Sequence, residues 1–162
     1  MKIVPGLYAI ENWRYVVVGV STNTETGEQC VLCQQFTSLF PFSFFLVPLG
    51  KFAAGMGADQ KIVEQYDAPR LLKPSRGAYG ITPGLYGHFK NPLNTYNVIA
   101  VARNTETGER CVLYQPLYGE YRYRLCHRPK AMFFERVEKP EHNYSGPRFF
   151  LMDAYCQPRI AA

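Results

Sequence analysis

The residues best equipped for chemistry stand close together in the segment Tyr114-Gln115-Pro116-Leu117-Tyr118-Gly119-Glu120-Tyr121-Arg122-Tyr123-Arg124-Leu125-Cys126-His127-Arg128. Read as a strand, residues 121–125 put Tyr121, Tyr123 and Leu125 on one face and Arg122 and Arg124 on the other. Guanidinium groups grip phosphate oxygens through paired donors, and aromatic rings stack on planar bases for about 1–3 kcal/mol per base. Arginine interleaved with tyrosine is therefore suited to a nucleotide-like anion. The same alternation also fits a half-buried strand with tyrosine inside and arginine in water. His88, His127 and His142 could each serve as acid or base, with Glu106 or Glu109 as partner. No Gly-x-Ser-x-Gly elbow, Walker loop, dinucleotide fingerprint or His-Glu-x-x-His accompanies them, so no catalytic residue is expected.

Metal chemistry is equally thin. The five cysteines are Cys30, Cys33, Cys111, Cys126 and Cys156, an odd number in a chain without export signals, which favours reduced thiols. Cys30 and Cys33 have zinc-knuckle spacing, but they lie in an apolar strand-like run where residues three apart face opposite ways. A composite site from Cys111, Cys126, Cys156, His127 and His142 has no ligand spacing to support it. Neither a metal nor a cofactor is expected, and buried, inert cysteine is the reading adopted.

The elements that must carry these residues occur twice. Ile3-Val4-Pro5-Gly6-Leu7-Tyr8 returns as Ile81-Thr82-Pro83-Gly84-Leu85-Tyr86, and Asn23-Thr24-Glu25-Thr26-Gly27-Glu28 as Asn104-Thr105-Glu106-Thr107-Gly108-Glu109. The offset is 78 at the first block (84 minus 6) and 81 at the second (104 minus 23), so the second copy has three extra residues around Lys90 to Thr95. Pro69-Arg70-Leu71-Leu72 matches Pro147-Arg148-Phe149-Phe150 at an offset of 78 again. The expectation is a tandem duplication: a first repeat at 3–72, a linker at 73–80, a second repeat at 81–150 and a tail at 151–162.

Within a copy the β-branched runs 15–20 and 96–101, then 29–34 and 110–115, read as strands joined by a Thr-Glu-Thr-Gly-Glu hairpin. Residues 42–47 and 121–126 read as a further strand, Pro129 with Lys130 to Phe134 as a helical turn, and the Pro-Arg-apolar-apolar block as a last strand. The fold class expected is mainly all-β, with each repeat a small SH3-like barrel or bent sheet and short helical turns. Either copy alone has a marginal core, so the two should pack together about a pseudo-two-fold axis.

Comparing aligned positions separates scaffold from site. His88 stands opposite Ile10, Arg103 opposite Thr22, Tyr114 opposite Cys33, Tyr118 opposite Thr37 and Arg128 opposite Val47. The charge splits the same way. Residues 1–83 hold 7 basic and 6 acidic groups, leaving 11 (18 minus 7) and 7 (13 minus 6) to residues 84–162.

The second copy resembles a short bacterial and phage domain family of unknown function. The resemblance rests on Tyr86, His88, Phe89 and Lys90; Val98, Val101, Ala102 and Arg103; Thr105-Glu106-Thr107; Val112, Tyr114 and Leu117-Tyr118-Gly119; Arg128-Pro129; and Met132-Phe133. Gly87 stands where the family usually has Arg, and Cys126 where it has Trp. The first copy keeps only the skeleton. The resemblance implies small β-barrels and no particular activity.

At 162 residues, 47% hydrophobic and 19% charged, the chain folds, and it has no apolar run long enough to span a bilayer or act as a signal peptide. A cytoplasmic protein is expected, bacterial or, if phage-encoded, in the host cytoplasm. A net charge of +5 with acids interleaved argues against duplex nucleic acid, while a short single strand fits better. Phe36, Leu39, Phe40, Phe42, Phe44 and Phe45 fall within ten residues, which suggests self-association or a protein partner, and hence an adaptor as the rival role. The leading expectation is a non-catalytic binder of a small anionic, nucleotide-derived ligand, after the manner of phage proteins that sequester nucleotide immune signals. Its candidate contacts are Arg103, Arg122, Arg124 and Arg128 for phosphate, Tyr114, Tyr118 and Tyr121 for stacking, and His88 and Gln115 for polar discrimination.

Overall fold

A computed structural model describes residues 2–10, 13–35, 43–55, 61–65 and 80–153. Strands β1 (Gly6–Ile10), β2 (Trp13–Asn23), β3 (Gln29–Gln35) and β4 (Ser43–Pro48) are followed by helix α1 (Leu49–Gly55) and strand β5 (Lys61–Gln65). The second half repeats the order with β6 (Gly84–His88), β7 (Asn91–Asn104), β8 (Arg110–Pro116), β9 (Cys126–Pro129) and helix α2 (Lys130–Phe133). It continues with a small ribbon, β10 (Arg136–Lys139) and β11 (Tyr144–Pro147), and ends on β12 (Phe149–Asp153). The molecule is mainly β, as its sequence leads one to expect.

The barrel is shared between the halves rather than closed within each. β2, β3 and β4 pair in antiparallel sequence, as do β7, β8 and β9. Two parallel seams then close the ring: β4 runs beside β7, and β9 beside β2. The result is one six-stranded barrel with three strands from each half. Of the two forms expected for a half, a closed barrel or a bent sheet, the bent three-stranded sheet is the one found, and two such sheets close the ring with paired edges at both seams.

Both seams keep a single offset. Thr22 lies opposite Cys126, and Arg103 opposite Phe45, each pair shifted by 81 from the other (103 minus 22, 126 minus 45). The Thr24 N–H donates to the His127 carbonyl at 3.1 Å, and the Thr105 N–H to that of Leu46 at 3.0 Å. Local details match too. A β-bulge interrupts β2 at Val17/Gly19 and β7 at Val98/Ala100. The Tyr8 hydroxyl donates to the Val4 carbonyl at 2.7 Å and the Tyr86 hydroxyl to that of Thr82 at 2.9 Å, so the Tyr after Pro-Gly-Leu makes the same bond in both halves.

The core has three compartments. The barrel interior is lined by Val18, Cys30, Leu32, Phe44 and Leu46 from the first half and by Ile99, Ala100, Ala102, Cys111 and Leu113 from the second. Each half adds an outer cluster under its helix: Tyr8, Tyr15, Val31, Cys33 and Phe52 in one, Tyr86, Tyr96, Val112, Tyr114 and Phe133 in the other. Cys30 and Cys33 thus belong to different compartments, as strand alternation requires. Phe44 is barrel core, while Phe36, Leu39, Phe40 and Phe42 lie outside the described residues, as do residues 66–72 with the first Pro-Arg block and most of the linker.

Residues 121–125 are not a strand. Gly119 and Tyr123 take left-handed φ angles of 67° and 64°, and turn bonds from Arg122 to Gly119 and from Arg124 to Tyr121 reverse the chain. The alternation of Tyr and Arg there reflects no sheet face, and β9 begins only at Cys126.

Candidate functional site

One cluster gathers at the β2–β9 seam, on the outer face of the second half. Its hub is Arg128, which β9 carries to within reach of the first half's hairpin. The guanidinium Nη2 lies 2.6 Å from Glu25 Oε1, and Nε donates to Thr24 Oγ1 at 3.3 Å. The plane passes over the Phe149 ring at 5.3 Å, and the side chain is 16% exposed. Thr24 Oγ1 also hydrogen-bonds the Tyr114 hydroxyl at 2.8 Å. Burial pushes that phenol up to about 12, against the lowering effects of Thr24 and Arg128.

Aromatic rings build the wall. Tyr96 meets Tyr114, Tyr118 and Phe149 edge to face at 5.6, 5.4 and 5.1 Å between centroids, an arrangement that places ring edges against π faces. Its hydroxyl makes a short hydrogen bond with that of half-buried Tyr118. Burial, reinforced by this bond, holds the Tyr96 phenol well above its ordinary value. Phe149 in turn stacks on Phe133 at 4.3 Å.

His88 closes the group, 4.9 Å from Phe149 and 4.7 Å from Phe89. Burial, then the charges of Arg128, Arg148 and Lys90, lowers its imidazole to about 4. The ring is therefore neutral at physiological pH. Its Nδ1 accepts the Lys90 N–H at 3.3 Å, which leaves the proton on Nε2 as a donor. Arg148 is paired with Glu135, by Nε at 3.0 Å and also by Nη2, whereas Lys90 makes no ion pair among the described residues. With Glu25 set against Arg128, one positive charge is left over around a neutral donor. Such a group is suited to hold an anion, and an imidazole this weakly basic is poorly suited to move protons near neutral pH.

The nine residues singled out from sequence are therefore distributed unevenly. Arg128, Tyr114, Tyr118 and His88 come together. Gln115 is buried, donates from Nε2 to the Tyr123 carbonyl at 3.0 Å and receives the Asn97 amide at 3.5 Å, so it fastens the 117–125 loop to the barrel. Tyr121, Arg122 and Arg124 are exposed on that loop, with Arg124 over the Tyr121 ring at 5.8 Å and Arg122 over Tyr123 at 4.8 Å. Arg103 sits at the other seam beside Phe45, with Nη2 3.4 Å from where a Cβ on Gly108 would lie. Thr24, Glu25, Tyr96 and Phe149 were not anticipated. Thr24 and Glu25 recur as Thr105 and Glu106, which marks both as hairpin residues and conceals that the first half's pair faces Arg128 across the seam.

His127 points elsewhere. It is 1% exposed and shares the seam with Ser21, whose Oγ lies 2.9 Å from its Nδ1, and burial lowers it to about 4. Cys111 and Cys126 belong to different core clusters, and among the described residues no group of three or more His, Cys, Asp or Glu is arranged to hold a metal ion. Among the same residues no helix is long and apolar enough to cross a membrane.

Comparison with known proteins agrees with the resemblance at the level of the domain. Residues 84–151 match the family described as "Protein of unknown function (DUF1653)". The crystal structure of a DUF1653 protein from Bordetella bronchiseptica is 28% identical, covering 49% of this chain and 95% of that one, with a TM-score of 0.40. The comparison with curated proteins gives no match.

Proposed function

We propose that this chain is a non-catalytic binding protein for a small anionic, nucleotide-derived ligand, held at the Arg128 cluster of the second half. The observation that carries the reading is that the largely buried Arg128 and the imidazole of His88 both lie against the Phe149 ring within an aromatic wall, at 5.3 and 4.9 Å. Guanidinium N–H groups and the His88 Nε2–H offer donors to phosphate oxygens, and Tyr118 offers a ring face at the rim. Of the five positions named as differing in chemistry between the aligned halves, His88, Tyr114, Tyr118 and Arg128 are gathered here, and Arg103 lies at the other seam.

The test is a thermal-shift panel of mononucleotides, cyclic dinucleotides, ADP-ribose derivatives and short single-stranded oligonucleotides on the full chain, followed by calorimetry. A ligand at a hundred times its dissociation constant adds about 2.7 kcal/mol of stability, enough to move the midpoint by several degrees. Arg128→Ala and Tyr118→Ala should abolish the shift, while Arg103→Ala, at the other seam, should leave it. Loss in all three variants, or in none, refutes the site. A short single-stranded oligonucleotide is the second reading, favoured by the two exposed Arg–Tyr pairs of the 117–125 loop.

A further inference from the structure

Arg128 does not offer a bare charge, because Glu25 of the other half already faces it. The loop that carries Glu25 is firmly built: Asn23 Oδ1 accepts the N–H groups of Glu25 at 2.9 Å and Thr26 at 3.4 Å. The Gly27 N–H returns to the Asn23 carbonyl at 2.8 Å, with φ at 75°. The second half builds the same loop, with Asn104 Oδ1 holding Glu106 at 2.9 Å and Thr107 at 3.1 Å. There, however, the ion-pair partner of the carboxylate among the described residues is the exposed Lys51, at 3.5 Å. The scaffold is common to both hairpins, and the tight pair with a largely buried guanidinium is particular to this seam.

An anion that seats on Arg128 must therefore compete with a fixed carboxylate. Arg128 keeps its place when that carboxylate yields, since Thr24 and the Phe149 ring hold it independently. A singly charged ligand exchanges one negative charge for another and gains little. A doubly charged terminal phosphate brings a second charge and more oxygens, which the remaining guanidinium N–H groups can use. We propose that Glu25 is a built-in counter-anion that restricts the site to dianionic phosphate monoesters, discriminating against phosphodiesters and other monoanions. The proposal rests on the reading of Arg128 as an anion site.

The experiment uses the full chain as wild type, Glu25→Gln, Arg128→Ala and the double variant. Each is titrated at pH 8 with inorganic phosphate, a dianion there, and with chloride at matched ionic strength, and its unfolding midpoint is read against its own anion-free value. Wild type should respond to phosphate and not to chloride. Glu25→Gln should respond to phosphate at about tenfold lower concentration, as for removal of a partly screened competing charge, and should acquire a response to chloride. Both chains carrying Arg128→Ala should respond to neither. If Arg128→Ala is flat but Glu25→Gln titrates like wild type, or more weakly, the role given to Glu25 is wrong and the anion site stands. If all four chains behave alike, or none responds, both fail.

Discussion

The buried pair Ser21–His127 invites a direct test, because the other seam shows what the same place looks like without it. Adding 81 to Ser21 gives Ala102, and subtracting 81 from His127 gives Leu46, both of them barrel core. Substituting Ser21→Ala and His127→Leu together would thus copy the apolar seam into the polar one. Each single change leaves a buried polar group without its partner, at a cost of about 1–3 kcal/mol. The double variant leaves none, and at pH 7 it should be as stable as wild type or more so, giving a coupling in the cycle of about 1 kcal/mol or more.

Acid should separate the chains further. The His127 imidazole falls from its ordinary 6.5 to about 4 on folding, so between those values the unfolded chain holds a proton that the folded chain refuses. Stability contributed by the neutral ring is complete above pH 6.5, declines as the pH falls, and is lost by pH 4. The drop is about 3 kcal/mol, taking about 1.4 kcal/mol per pH unit. Urea unfolding at pH 7, 6, 5 and 4 should show this loss in wild type and a smaller one in the double variant, by the share of one histidine. Parallel pH curves for the two chains, or a double variant costing the sum of its singles, would refute the assignment of a buried neutral imidazole.

Other expectations rest on the same contacts. His88 should titrate near 4 by NMR in the free protein and move toward its ordinary value when an anion binds beside it, because the added negative charge offsets Arg128, Arg148 and Lys90. Cys30, Cys33, Cys111 and Cys126 are buried, with thiols raised to about 11, 12, 12 and 11. A thiol reagent at pH 7 should therefore leave these four untouched until denaturant is added. Leu32→Ala or Leu113→Ala removes a fully buried side chain from the barrel and should cost about 2–5 kcal/mol in urea unfolding, with similar losses in the two halves. Gly87→Ala should destabilise by about 1 kcal/mol, since its Cβ would lie 2.7 Å from the Phe150 ring, and Phe150→Leu should relieve the clash.

Much of this architecture was legible because it is local. The β-branched runs became β2, β3, β7 and β8, and the Thr-Glu-Thr-Gly-Glu block became a loop in which Asn23 and Asn104 cap and Gly27 and Gly108 turn. Periodicity reports which residues share a face, and it correctly parted Cys30 from Cys33. It does not report what that face meets. The parallel seams join residues about sixty or a hundred positions apart (102 minus 44, 126 minus 22), and no spacing in the sequence encodes them. How the two bent sheets join into one barrel lies in those long-range pairings, and so does the partner that the turn residue Glu25 finds across the seam. Segment 121–125 differs in kind: its Tyr–Arg alternation matches a strand's, but left-handed φ at Gly119 and Tyr123 and the turn bonds between them bend the chain away from pairing.

The seams also suggest why the second half carries the richer chemistry. In a ring made of two identical chains both seams must be the same, so any polar pair buried at one is buried at both. A fused chain escapes that constraint. On the reading of this protein as a duplication, one seam kept Leu46 and Ala102, with an exposed Lys51–Glu106 pair outside. The other acquired His127 and Ser21 within, and Arg128 with Glu25 and Tyr114 with Thr24 outside. The apolar seam can then carry the stability of the barrel while the polar one accepts the cost of desolvating charge, which is the division a binding site at a strand junction requires. Transplanting Val47→Arg into the apolar seam tests this division. Glu106 stands where Glu25 does, but the position of Tyr114 is Cys33 there, so the new arginine would lack the tyrosine–threonine brace. It should confer no phosphate response, and a response equal to that at Arg128 would show that the seams are not specialised.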